Sequence, residues 1–252
     1  MSQHVYIVSM PNFKSLSGRI FAYWLPKYVC DLMRGAPKLQ TKGEARQGLS
    51  TSDNNRFLRL WHEVKFDNIE FCCTSVEETK YFIQKWYPYC KGGAFRKWSP
   101  INEYVVNFKD NGSEIKKAVL SKYTYLKTPD FVVKNTDFYF RQGVTWNDVS
   151  TGTFCARYIN KGYIFADAGP MFFSKDDSYI LGYFNSCVFQ YFADIICQGM
   201  HYSTGQIPEI PYIEMVDSKE IVHKTVEDNY RLSKTDWDSF ETSWEFKKHP
   251  LI

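Results

Sequence analysis

No run of eighteen apolar residues occurs in the 252-residue sequence, so no segment reads as a membrane-spanning helix. The N-terminus lacks a signal-peptide pattern. These absences lead to the expectation of a soluble, cytoplasmic protein with no membrane partner. There is no CxxC pair among the seven cysteines, an odd number. Cys72 and Cys73 are the only close pair, and neighbours on a strand point to opposite faces. All seven read as reduced thiols that pack, with no zinc site. Also missing are GxGxxG, a Walker loop, HExxH and the G-x-S-x-G elbow. His4, His62, His201, His223 and His249 are scattered, with no metal-ligand spacing. On its own the chain does not read as an enzyme, although folding could still bring a Cys and a His together.

What is present is aromatic: 20 Phe, 18 Tyr and 7 Trp, or 18% of the chain. Sheet-rich folds use such residues, and so do surfaces that stack flat ligands. The net charge of +3 is small but unevenly spread. Residues 214–245 hold nine acids against four Lys or Arg, while the first 213 residues carry +6. Residues 80–100 carry +5 with no acid at all. Blocks of this kind say more about partners than the total does.

Along the chain, Pro26 should end any helix begun near Ile20. Residues 34–56 read as a polar loop. "NIEFCCTSV" reads as a strand, and Ser75 with Glu78 makes a capping box that predicts a helix running towards Lys85. "EYVVNF" alternates as a strand and meets a turn at Asp110-Asn111-Gly112. "SEIKKAVLSKY" is a helix candidate. "DFYFRQGVTW", "TFCARYI" and "YIFADAG" read as short strands. "SYILGYFNSCVFQYFADII" has helical spacing throughout and predicts one long helix. "QIPEIPYI" is too rich in proline for a helix. A helix should open at Asp217 and Glu220, with Val222, Val226 and Tyr230 on one stripe, and the aromatic tail suggests one more. The order predicts a mixed α+β domain over residues 1–213, then an acidic helical element over 214–252.

Three stretches are candidates for binding. In "KWYPYCKGGAFRKW", Lys91, Gly92, Gly93, Arg96 and Lys97 could cradle a phosphate, because glycine lets another backbone approach and paired N–H groups hold an anion. Trp86, Tyr87, Tyr89, Phe95 and Trp98 could stack on bases or pack beneath the loop. The plainer reading is a turn with solvated cations. In "GLSTSDNNRFLRLW", Thr51, Asp53, Asn54 and Asn55 precede Arg56 and Arg59, and Asn and Arg read adenine and guanine edges by paired hydrogen bonds. Alternatively, Thr51 or Asp53 caps a short helix. In "FRQGVTWND", Arg141, Gly143 and Trp146 could meet DNA, or form the end of a strand.

Taken in order, these blocks resemble the region that follows the catalytic domain in PglX-like adenine-specific DNA methyltransferases of BREX phage-defence systems. The resemblance rests on Gly48-Leu49-x-Thr51-x-Asp53-Asn54-x-Arg56-Phe57-x-Arg59-x-Trp61, then "KWYPYCKGGAFRKW" with "NEYVVNF". It continues through "FRQGVTWND…GTFCARYINKGYIF", "ILGYFNSCVFQYF", "IPEIPYI" and "DWDSFETSWEFKKHPL". It covers about Phe13 to Leu251. Leu181, Asn185 and Ser186 followed by Ile210-Pro211 are similar to recognition domains of type IIG restriction-modification enzymes and of HsdS specificity subunits. The resemblance implies an α/β target-recognition domain with packed helices. It implies double-stranded DNA and a methyltransferase catalytic domain of the same system as partners. The family's S-adenosylmethionine loop and its Asn-Pro-Pro-Tyr motif are absent, so the cofactor is expected only for a catalytic domain outside this chain. Ser52 stands where the family usually has Gly. The chain is therefore expected to be a fragment: an excised piece, a split gene or a remnant. The rival reading is a protein-interaction module, since Tyr, Trp and Arg also suit a protein interface.

Overall fold

The computed structural model describes residues 24–249 and 251. The helix expected near Ile20 lies outside the described residues. Pro26 instead begins α1 (Lys27–Gly35), standing just ahead of its first turn, where the missing N–H costs nothing.

The strands form two four-stranded sheets. One has the order β1 (Gly43–Arg46), β8 (Met171–Ser174), β5 (Gly143–Trp146), β6 (Ala156–Ile159), with every pair antiparallel. The other has the order β2 (Leu58–Leu60), β4 (Tyr104–Asn107), β3 (Trp86–Cys90), β7 (Ile164–Phe165). Its last pair is parallel, which makes it a mixed sheet. The fold is thus the expected mixture of strands and packed helices, ending in a C-terminal helix, α6 (Lys219–Trp237).

Each sheet has its own core. The antiparallel sheet buries Val144, Trp146, Ala156 and Phe172 against α1, α4 (Asp177–Phe184) and α5 (Cys187–Ile196). The mixed sheet buries Tyr87, Tyr89, Val106 and Phe165 with α3 (Lys109–Lys122) and residues 132–140. Residues 91–98 link the two. They leave the end of β3 and reach the free edge of β6, where Trp98 N–H donates to the Ala156 carbonyl at 2.9 Å and Tyr158 N–H donates to the Trp98 carbonyl at 2.8 Å.

Several expectations are corrected. Residues 34–56 are not one loop, because they hold β1 and α2 (Asn54–Phe57). β1 reads "GEAR", with no apolar alternation to mark it, and only backbone pairing with β8 makes it a strand. "NIEFCCTSV" makes a single bridge, Ile69 with Trp86, and is otherwise irregular, entering from a 3-10 turn that ends at Asn68 and leaving through a turn at Ser75–Val76. The capping box yields only one 3-10 turn, Glu77–Lys80. Its Glu78 carboxylate turns back to Thr74, accepting from the N–H at 2.8 Å and from Oγ1 at 2.7 Å. The aromatic tail after α6 forms turns rather than another helix. The turn at Asp110, Asn111 and Gly112 is present, with φ of 52°, 55° and 65°.

The long helix is broken in two at Asn185 and Ser186. Asn185 bonds both backbone groups of one residue on the edge strand: Oδ1 accepts from Ala156 N–H and Nδ2 donates to the Ala156 carbonyl, each at 3.0 Å. Ser186 Oγ accepts from Phe189 N–H at 3.1 Å and so caps α5. The Tyr183 hydroxyl donates to the Pro211 carbonyl, which fixes the Ile210-Pro211 segment against α4. The Leu-x-x-x-Asn-Ser and Ile-Pro signature is therefore a structural joint.

Gly92 has φ of +81°, and an added Cβ would lie 3.1 Å from the Ala168 carbonyl oxygen. Gly93 has open space around the same position. Gly92→Ala should therefore cost about 1–2 kcal/mol for a left-handed L-residue, whereas Gly93→Ala should be close to neutral. Paired denaturant melts of the two variants check this.

Candidate nucleic-acid interface

The stretch around Asn54 lines a cleft of about 610 Å³ with part of α3. Thr51, Ser52, Asp53, Asn54, Asn55 and Arg56 form one wall, and Ala118, Val119, Ser121 and Lys122 the other. Asp53 caps α2, accepting from Arg56 N–H at 3.1 Å. Thr51 is 2% exposed, and its hydroxyl donates to Asn54 Oδ1 at 2.5 Å. Both therefore shape the loop, as the capping alternative had it. Ser52 has φ of +57°, a left-handed conformation that explains why glycine would suit the position. Asn54, Asn55 and Arg56 are exposed. The Asn54 amide nitrogen and the whole Asn55 side-chain amide have no hydrogen bond among the described residues. Lys122 donates to the Ser52 carbonyl at 2.8 Å, and among the described residues Asp53 is the only acid lining the cleft. Arg59 is folded back: Nη1 donates to the Asn55 and Leu58 carbonyls, each at 2.6 Å, and its guanidinium lies 5.9 Å from the Trp86 ring.

The Gly-Gly stretch is at the other end of the same sheet. β2 and β3 are both antiparallel to β4, so they run the same way. Asn54–Arg56 precede β2 and Gly92-Gly93 follow β3, so the two stretches lie at opposite ends of the sheet. The phosphate cradle read from the sequence is not assembled. Arg96 donates to the Ser233 carbonyl and pairs with Asp236 of α6 at 3.0 Å. Lys97 donates to the Asn185 carbonyl at 3.2 Å, and Lys91 lies 4.7 Å from the Tyr104 ring. Tyr87 and Tyr89 are core residues, and Phe95, 60% exposed, is the ring of this stretch that faces solvent.

The third stretch divides as well. Arg141 is exposed and lies 5.1 Å from the Phe138 ring. Gly143 is buried in β5, where an added Cβ would come within 2.8 Å of the Phe172 carbonyl oxygen. Trp146 is 0% exposed and its indole N–H donates to the Tyr202 carbonyl at 2.7 Å. Its ring belongs to the core, so it is not placed to stack on a base.

Burial pushes the Cys73 and Cys197 thiols up to about 12. His201 and His223 face Asp148 and Asp176 at 3.7 and 3.1 Å. Among the described residues no three His, Cys, Asp or Glu side chains cluster as metal ligands would. An apolar groove between α4 and α6, lined by Trp98, Tyr179, Tyr183, Ile213, Val222 and Val226, contains no carboxylate for a ribose, so it does not fit S-adenosylmethionine.

Sequence reasoning missed Lys122, Asn147 and Arg157. Arg157 is 3% exposed. Its signal was available: it is in phase with Cys155 and Ile159, both buried, on a strand of period two.

No family model matches the chain. It is 34% identical over 255 residues to the adenine-specific methyltransferase PglX of Lacticaseibacillus casei (strain Zhang), covering 99% of this chain and 20% of that protein. It is 32% identical over 247 residues to the adenine-specific methyltransferase BrxX of Escherichia coli O9:H4 (strain HS), covering 96% of this chain and 18% of that one. Among solved structures, the type IIL restriction-modification enzyme MmeI in complex with DNA shares the fold, with a TM-score of 0.52 at 12% identity, over 84% of this chain and 30% of that one. The chain is accordingly similar to one part of the PglX and BrxX adenine-specific methyltransferases, matched along nearly all of its own length and about a fifth of theirs.

Proposed function

We propose that this chain is a DNA target-recognition region of an adenine-specific methyltransferase in a phage-defence system, acting beside a catalytic domain that it does not contain. The observation that carries the reading is the cleft of residues 51–56 and 118–122. It exposes the Asn55 amide, the Asn54 amide nitrogen and the Arg56 guanidinium, which lies 4.9 Å from the Phe57 ring, beside the Lys122 ammonium. Cations at such a cleft grip phosphates without regard to sequence, and asparagine amides read adenine edges. The adenine to be methylated would be turned out of the duplex into the separate catalytic domain. The names of the relatives and the fold shared with a DNA-bound restriction-modification enzyme support the same reading.

The acidic helix α6 would face away from DNA, since like charges repel. Within the chain it packs on α4, and its Asp236 pairs with Arg96. The test is a fluorescence-anisotropy titration of the 252-residue chain on a labelled 30-base-pair duplex at several salt concentrations. Saturable binding that weakens linearly in log salt is expected. Binding that is absent at low salt overturns the proposal.

The second reading, a protein-interaction module, is favoured by the apolar groove between α4 and α6 alone. Under either reading the chain should not bind S-adenosylmethionine, and a calorimetric titration should give no saturable heat. Micromolar binding would contradict the separation of recognition from catalysis.

A further inference from the structure

Beneath the Gly-Gly crossover lies a cation with no counter-charge among the described residues. Arg157 projects from β6 opposite Thr145 of β5 and is 3% exposed. Its side chain donates from Nη2 to Asn147 Oδ1 at 2.5 Å. Nε is fully buried with no partner. Nη1 also has no partner among the described residues, but it is not sealed from solvent. No carboxylate lies within ion-pair distance among the described residues, and no ring takes the place of one. The neighbouring Asp148 faces His201 at 3.7 Å instead. Burying a guanidinium without an anion is costly, and such groups are normally paired.

Asn147 connects this cation to a second cleft, of about 480 Å³. Its Oδ1 accepts from Gly93 N–H at 3.2 Å as well as from Arg157, and its Nδ2 donates to the Gly93 carbonyl at 2.7 Å. The amide thus locks the crossover and holds the guanidinium one hydrogen bond behind the cleft wall. The cleft is also lined by Ser150, Thr151 and Thr153, with no acid among the described residues. It offers hydroxyls at its surface with an uncompensated positive charge behind its wall, a combination that favours an anion such as phosphate.

We infer that Arg157, held by Asn147 behind the cleft wall, supplies the positive charge that draws a backbone phosphate of duplex DNA into the cleft of Gly93, Asn147 and Thr151–Thr153. This inference rests on the proposed DNA reading and supplies a grip at the end of the sheet opposite the Asn54–Arg56 cleft.

Two readouts keep the inference and that reading apart. In thermal melts of the chain at constant ionic strength, replacing chloride by inorganic phosphate should raise the wild-type midpoint. The rise should vanish in Arg157→Met, which removes the charge. It should also vanish in Asn147→Asp, which gives Arg157 a carboxylate of its own; that variant stands in if Arg157→Met does not fold. In anisotropy titrations on duplex DNA, the same variants should lower the log–log salt slope by about 0.9, the value for one phosphate left unneutralised. They should also weaken affinity on every duplex sequence alike, since a phosphate contact carries no sequence information. An equal phosphate response in wild type and variants means an adventitious ion only and overturns the inference, as does an unchanged salt slope. A wild-type chain that responds to phosphate through Arg157 but binds no duplex keeps the anion site and refutes the DNA reading.

Discussion

Trp146→Ala should lower the stability of the chain by about 3–5 kcal/mol, the usual cost of emptying a large aromatic site in a core. Trp146 lies on β5 with no exposure, its ring 6.2 Å from Phe154 and 6.0 Å from Phe184. Truncation also orphans the Tyr202 carbonyl that its N–H satisfies at 2.7 Å, and a buried unpaired acceptor adds about 1–3 kcal/mol. In urea the midpoint should fall with the slope unchanged, because the surface exposed on unfolding stays nearly the same. Trp146→Phe should lose less and, where folded, should bind DNA as the wild type does. A Phe variant of full stability but reduced DNA affinity would return Trp146 to the interface that the sequence pattern assigned it.

Replacing both Arg56 and Lys122 by Gln should reduce the log–log salt slope of duplex binding by about 1.8, at roughly 0.9 for each phosphate left unneutralised. The fall in affinity should be nearly the same on every sequence, because phosphate contacts position without specifying. Asn55→Ala should behave in the opposite way. This side-chain amide carries no charge and no hydrogen bond among the described residues, so the slope should hold, while the preferred site loses about 1–3 kcal/mol and a scrambled duplex loses little. The preferred site is taken from selection on a random pool. Thr51 and Asp53 should not be used for this purpose, since they hold the loop through Asn54 Oδ1 and Arg56 N–H, and their replacement would move all four groups together.

The parts of the fold that were legible in sequence were those with a periodic signal of their own. β4 alternates, α3 carries a turn of three left-handed residues within its start, ahead of its regular helical part, and α6 shows its Val222–Val226 stripe, which meets Gly182 on α4. β1 and β2 carried no such signal. They are strands because β8 and β4 offer them backbone partners, and pairing of that kind is invisible to local pattern. The α4–α5 break was hidden because the apolar stripe continues across it. The break is made by Asn185 reaching Ala156, 29 residues earlier in the chain.

The candidate site was legible in part. Asn54, Asn55 and Arg56 are where solvent can reach them, while the basic block of residues 80–100 was misjudged. A count of charges does not say where their partners lie. Lys85 pairs with Glu114 at 3.0 Å and Arg96 with Asp236 at 3.0 Å, the second partner coming from a helix 140 residues later. The buried cation without a carboxylate is Arg157, which sequence assigned only to a strand.

The most direct test of duplex recognition through the Asn54–Arg56 cleft is hydrogen exchange of the chain with and without saturating duplex, resolved by peptide. Binding should slow exchange in peptides covering residues 50–57 and 113–122 and leave α6 unchanged. Protection confined to the groove between α4 and α6, or no protection anywhere at low salt, would contradict it.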